Sequence, residues 1–389
     1  MPHSRGPPGR GRGMTGARLP SLELGPEWAM LELLCPGRLR GERRDMFLQL
    51  LRAGIDEGQL VEQAMRHRML PMLAYVMADE EIAGCVLHQL RGELVGVLLA
   101  NRRRNATLAR VAATLCSGLR AAGIRVAVTK GVALEQTIYG GHGCRKMMDV
   151  DLMIHPRHRA DVRRLMTEAG FVNGIYEWRE DRIRPLPKRT LAMYRLSPDH
   201  LPHFLKLDAD GAGAIAVDVA CSVTWSASEQ QLDQDEALAE LVDIPALGGE
   251  VELPTLNPAY QFLFTALHLY REAWFQESVE RGKDMLYKFA DLLRLWSRYS
   301  ADLLATLPGV IERYNLPALL GWVLTHTDRI FGTTMAADLK LPTVSEEQLA
   351  GARGLGGVEL TWTGSMRERL HSRDRMALFT RCSTSAATY

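Results

Sequence analysis

At Gly123 the spacing of apolar residues drops from three and four to two, and after Asn257 it returns to three and four. These two switches allow only helical flanks around a centre that contains strands. Before the first switch, from about residue 27, Met46, Leu48 and Leu51, then Val61, Ala64, Met69 and Leu70, recur at helical intervals. Beyond Gly123, Ile124, Val126 and Val128 alternate in a β-branched run that ends at Thr129-Lys130-Gly131. Residues 132–139 then read as a helix, GGHG at 140–143 as a loop, 147–154 as a second strand, and Pro156 opens a helix running to Gly170. The polar, basic stretch 171–197 yields no assignment. Residues 203–207 and 214–221 read as a hairpin across the turn-rich DADGAG. Asn257-Pro258 supplies an N-cap and a proline at the first helical position, and helical periodicity continues to about residue 331. The last fifty residues carry no strong signal.

The expected fold class is α+β with an α/β core. It is divided into a disordered tail over 1–22, an N-terminal helical region over 23–122, a mixed-sheet core over 123–254, a C-terminal helical region over 255–335 and a poorly determined segment over 336–389. A chain of 389 residues suits two or three packed units, since one domain usually holds ~100–200 residues. The 47 basic and 46 acidic side chains leave a formal charge of +1, so the molecule as a whole has no field that would draw it to nucleic acid or an anionic membrane. Arg5, Arg10, Arg12 and Arg18 in the Gly- and Pro-rich beginning read as solvated, with contact to RNA as the alternative, and Arg102, Arg103, Arg104, Arg110 and Arg120 as one exposed or inter-helix face, with phosphate binding as the alternative. Six scattered cysteines without a C-x-x-C pair argue against a zinc site or a disulfide framework, and no apolar run approaches the ~20 residues needed to cross a bilayer. A cytoplasmic protein is expected.

Within residues 147–154, strand periodicity puts Met148, Val150, Leu152 and Ile154 on one face and Asp149 and Asp151 on the other. Two further Asp-x-Asp pairs, Asp208/Asp210 and Asp233/Asp235, lack this apolar setting. Asp218 stands in the later strand with Ala216 and Ala220 on its own face. Three carboxylates from two strands suit Mg²⁺, a hard cation that prefers oxygen ligands and completes its shell with substrate phosphates. The competing reading is that they are solubilising acids at strand ends. Lys130-Gly131, at a strand-to-helix junction, is placed to admit a phosphate; a strand-ending glycine beside a surface lysine is the structural alternative. Phosphate-loop, H-E-x-x-H, G-x-S-x-G and dinucleotide-binding motifs are absent.

The run VAVTKGVALEQTIYGGHGCRKMMDVDLMI resembles the signature of the uncharacterised nucleotidyltransferase family of the polymerase β superfamily, with Lys130, Gly131, Tyr139, Arg145, Asp149 and Asp151 at the matching positions. The likeness extends over roughly residues 27–300, through AIAVDVA to the helices with His268 and Asp291. It implies a polymerase β-like domain that uses Mg²⁺ or Mn²⁺ and an NTP, ATP among the candidates, to transfer an NMP to a small-molecule or peptide acceptor. Asp149 and Asp151 would hold the metals, Asp218 would complete the site and help activate the acceptor, and Lys130 and Arg145 would steady the triphosphate. Tyr139, His268, Lys288 and Asp291 would contact substrate. Two positions depart from the pattern: Lys130-Gly131 stands where the wider superfamily has Gly-Ser, and Ala220 where relatives often carry histidine. The second departure leaves open a catalytically inactive binding module, such as an antitoxin or a biosynthetic scaffold.

Overall fold

A computed structural model of the chain describes residues 18–85, 88–196, 199–208, 213–225 and 228–382. Eight strands form one mixed sheet: β1 Val126–Thr129, β2 Asp149–Ile154, β3 Val172–Glu177, β4 Arg182–Pro185, β5 Phe204–Leu207, β6 Ala214–Ala220, β7 Leu241–Ala246 and β8 Val251–Leu256. Their order is β4-β3-β5-β6-β2-β1-β8-β7. The pairs β6–β2 and β2–β1 at its centre are parallel and antiparallel respectively.

Alternation sorts the strand side chains between two cores. Val126, Val128, Val150, Leu152, Ile154, Val217 and Val219 enter one cluster, with Leu108, Cys116 and Leu119 from the helix His88–Ala121 and Val162 and Met166 from the helix Arg159–Glu168. Ala127, Met153 and Ala220 point the other way, into a larger cluster built from the N-terminal helices and from the helices Pro258–Trp274, Leu286–Arg313 and Pro317–Phe331. Apolar burial at about 25 cal/mol per Å² on both faces therefore fixes the register of β2 and β6. A slip of one residue would drive Asp149 and Asp151 into the aliphatic cluster.

Several expected elements shift. The first strand starts at Val126, and the helix after it is Lys130–Thr137. Met148 lies ahead of β2 and is 51% exposed, so it does not share the buried face of Val150. Pro156 opens a short 3₁₀ turn before the helix Arg159–Glu168. The hairpin β5–β6 pairs Phe204 with Val217 and Leu207 with Ala214, while residues 209–212 of its turn lie outside the described residues. The unassigned stretch 171–197 holds β3, the edge strand β4 and the helix Lys188–Leu196.

Two corrections concern the ends. Arg5, Arg10 and Arg12 lie outside the described residues, but the last part of the expected tail is tied down: the Arg18 amide donates to the Phe331 carbonyl at 3.0 Å. The segment expected to be poorly determined contains the helix Met366–His371 and a small sheet of β9 Gly351–Arg353, β10 Glu359–Trp362 and β11 Phe379–Arg381. Short, polar elements of this kind leave no periodic trace. Arg102 and Arg104 are also more than a solvated face, since they donate to the carbonyls of His142 and Ala214 at 2.8 Å each. No helix among the described residues is long and apolar enough to cross a membrane.

The C-terminal segment docks around His326, which is buried between Trp322 and Trp362 and donates from Nε2 to the Leu349 carbonyl at 3.2 Å. Burial, helped by the Arg369 charge, lowers its pKa from 6.5 to about 3. The stability carried by the neutral ring is complete above pH 6.5 and is lost as pH falls towards 3, because the unfolded chain takes up a proton that the folded chain refuses. Between pH 6.5 and 5 the wild type should lose roughly 2 kcal/mol more than His326→Phe, measured by denaturant unfolding. Equal losses would contradict this account.

Candidate active site

The two aspartates of β2 and the one of β6 meet because these strands are parallel neighbours in exact step: Asp151 lies opposite Asp218, and Asp149 opposite Ala216. All three share the sheet face of Met153 and Ala220. That face opens onto a cleft of ≈ 490 Å³ between the sheet and the helices Pro258–Trp274 and Leu286–Arg313, within the range of small-molecule sites. Nine of the ten predicted site residues line it, namely Lys130, Gly131, Arg145, Asp149, Asp151, Asp218, His268, Lys288 and Asp291. Tyr139 is buried behind them. The competing Asp233/Asp235 pair lies elsewhere, capping a short helix and pairing with Arg125 and Arg157.

Like charges at such close quarters need compensation. The Lys130 ammonium donates to Asp151 Oδ1 at 2.8 Å from a backbone held at φ 45°, the left-handed region that a residue with a side chain seldom adopts. Burial would lower its pKa, but Asp151, Asp218 and Asp149 together raise it. Asp149 makes no ion pair among the described residues, and burial followed by the charge of Asp151 pushes its carboxyl up to about 7 against the pull of Lys130 and Arg68. Asp218 behaves oppositely. Burial acts to raise it, yet His200, Lys130 and His203 hold it well below the usual carboxylate range.

His200 and His203, which sequence reasoning missed, stand with Nδ1 at 3.3 and 3.8 Å from Asp218 Oδ1. The backbone of His200 bridges Ala220, so an imidazole reaches the third aspartate from the segment ahead of β5. The two histidines in HLPHF, just ahead of β5, were the available signal.

A second layer supports the first. Arg145 donates from Nε and Nη2 to Asp291 at 2.9–3.2 Å, and the Tyr139 hydroxyl donates to Asp291 Oδ1 at 2.7 Å. Gly131 packs closely under this layer: a Cβ there would stand 3.1 Å from Arg145 Nη1 and 3.2 Å from Met147 Sδ, so those side chains would have to give by a few tenths of an ångström. On the opposite wall Glu272 pairs with both Lys288 and His268, the latter at 3.2 Å. Despite burial these partners hold Glu272 well below its usual range, while burial takes His268 down to about 3 against the pull of Glu272.

The all-oxygen donor set of Asp149, Asp151 and Asp218 fits a hard divalent cation. Among the described residues no three acid, histidine or cysteine side chains converge tightly enough to grip an ion without adjustment. Asp151 is instead engaged by Lys130, so an ion would have to share it or take it.

Removing one partner of a buried ion pair strands the other charge. Asp291→Ala should lower the unfolding free energy by about 3–5 kcal/mol in denaturant titrations, and Arg145→Met with Asp291→Leu should recover most of it. A loss below about 1 kcal/mol, the size of an exposed pair, would contradict the buried network.

The model of a family described as uncharacterised nucleotidyltransferase matches residues 53–332, which include the whole eight-stranded sheet and both helical walls of the cleft. No curated protein matches the chain significantly. The matched span holds the three aligned aspartates and every predicted site residue, and the chain belongs to the uncharacterised nucleotidyltransferase family, transferases that draw on an NTP.

Proposed function

We propose that the cleft transfers an NMP from an NTP to a small-molecule or peptide acceptor and releases pyrophosphate, on a polymerase β-like core and in the cytoplasm. The observation that carries this reading is the strand register that aligns Asp151 with Asp218 and keeps Asp149 on the same face. Mg²⁺ or Mn²⁺ held by these three carboxylates would neutralise charge on the triphosphate and on the attacking and leaving oxygens.

The chain's own groups supply the rest. Asp218, kept ionised by His200 and Lys130, accepts a hydrogen bond from the acceptor's nucleophilic group and orients it for attack. His200 engages Oδ1 of that carboxylate, which leaves the second oxygen for the acceptor or the metal. The Arg145–Asp291–Tyr139 network and the Glu272–Lys288–His268 cluster hold the walls at fixed distance, so the reacting groups need little reorganisation.

One observation favours a second reading, an inactive nucleotide-binding module: the ammonium of Lys130 already engages Asp151. Asp218→Asn separates the two. An interaction made mainly in the transition state appears in turnover and not in ground-state binding. The variant should abolish pyrophosphate release in a screen of NTPs and acceptors while keeping NTP binding within about tenfold, roughly 1.4 kcal/mol. A wild type that binds NTP without ever releasing pyrophosphate would favour the module, and an active wild type matched by Asp218→Asn would refute the role of Asp218.

A further inference from the structure

Both cations assigned to the triphosphate from sequence already have carboxylate partners, Lys130 in Asp151 and Arg145 in Asp291. A triphosphate brings several negative charges into the cleft and is held best by cations without competing partners. Arg68, Lys146, Arg271 and Lys283 line the same cleft, and none of them makes an ion pair among the described residues. Arg281, also on the wall, is paired with Glu277.

Two of the four are built into place. Arg68 sits between the helices Glu57–Arg66 and Leu70–Met77 at φ 54°, a conformation that an ordinary residue keeps only when its surroundings impose it. The preceding His67 is fully buried with both ring nitrogens used: Nδ1 accepts from the Leu286 amide at 3.0 Å, and Nε2 donates to the Leu370 carbonyl at 3.1 Å. Lys283 precedes Asp284, whose fully buried carboxylate is clamped by Arg369 and Arg375. One scaffold, completed by residues 369–375 beyond the family match, thus sets both cations at the rim of the cleft.

Position along the cleft selects the ligand group. Arg68 follows His67, whose Nδ1 holds the Leu286 amide at the start of the helix that carries Lys288, and its charge reaches Asp149, whereas His200 and His203 contact Asp218 from the segment ahead of β5. We infer that Arg68 and Lys283, flanked by Lys146 and Arg271, form the subsite for the outer phosphates of the NTP. This rests on the nucleotidyl-transfer reading. Phosphate is the group recognised, and the side of the site near Asp149 assigns it to the donor nucleotide, leaving the Asp218 side to the acceptor.

The test is calorimetric titration of the full chain, in Mg²⁺, with AMP, inorganic pyrophosphate and an ATP analogue whose α,β-bridging oxygen is replaced by methylene. Arg68→Ala and Lys283→Ala should each weaken the analogue and pyrophosphate about tenfold or more, the loss expected for one charge-assisted contact, and leave AMP unchanged. Arg68→Lys should retain most of the affinity, and unchanged thermal unfolding would show that the variants are folded. Unaltered analogue binding in both alanine variants, or an equal loss for AMP, would overturn the subsite. So would weakened pyrophosphate with unweakened analogue, which would assign the cations to an acceptor phosphate. A wild type that binds neither analogue nor pyrophosphate would overturn the nucleotidyl-transfer reading together with the subsite.

Discussion

Three carboxylates on one face of adjacent strands repel each other, and burial in a cleft makes that repulsion hard for water to relieve. Much of the cleft can be understood as the answer to this problem. Lys130 is bent into a left-handed conformation and bonded to Asp151; His200 and His203 turn their rings to Asp218; Asp149 makes no ion pair among the described residues, and burial and Asp151 raise its carboxyl to about 7 against the charges of Lys130 and Arg68. On the proposed reading, a cation from solution would relieve the repulsion that remains. Structural need alone does not account for it, because asparagine would keep the strand without the repulsion.

The helical regions do more than flank this sheet. The wall facing the carboxylates comes from the helices Pro258–Trp274 and Leu286–Arg313, and the turn that carries Lys283 is locked by Asp284 to Arg369 and Arg375. Buried arginine–carboxylate contacts of this kind are costly to desolvate and are weak evidence of stability, but they fix geometry. The N-terminal helices join the same scaffold through His67. The nucleotidyltransferase sheet, the helices before it and the segment after it therefore share one core, and the cleft is lined from Arg68, the sheet and the helices that follow it.

The aspartates were legible because strand side chains repeat every two residues, so Val150, Leu152 and Ile154 necessarily turn Asp149 and Asp151 to the other face. Their partners were not. Lys130 meets Asp151 only because β1 and β2 pair with Thr129 opposite Asp151, a register that a chain read linearly does not display. Gly131 was placed at the right junction, but its lack of a side chain answers to Arg145 and Met147. His200 and His203 follow a stretch without periodicity, where the edge strand β4 is mostly exposed. Strands β7 and β8 each contain a proline, Pro245 and Pro254, which weakens a strand signal. His268 and Glu272 were one helical turn apart and readable as a pair, whereas Lys288 reaches them from another helix.

The central claim is that Asp149, Asp151 and Asp218 form a cation site held in partial balance by Lys130. Calorimetric unfolding of the wild type and of Asp149→Asn, with and without Mn²⁺, tests it most directly, since a ligand that binds only the folded state raises the melting temperature. The account predicts that Mn²⁺ raises the melting temperature of the wild type and leaves that of Asp149→Asn unmoved, with the variant the more stable of the two in the absence of metal. Equal responses to Mn²⁺ in the two proteins would contradict it.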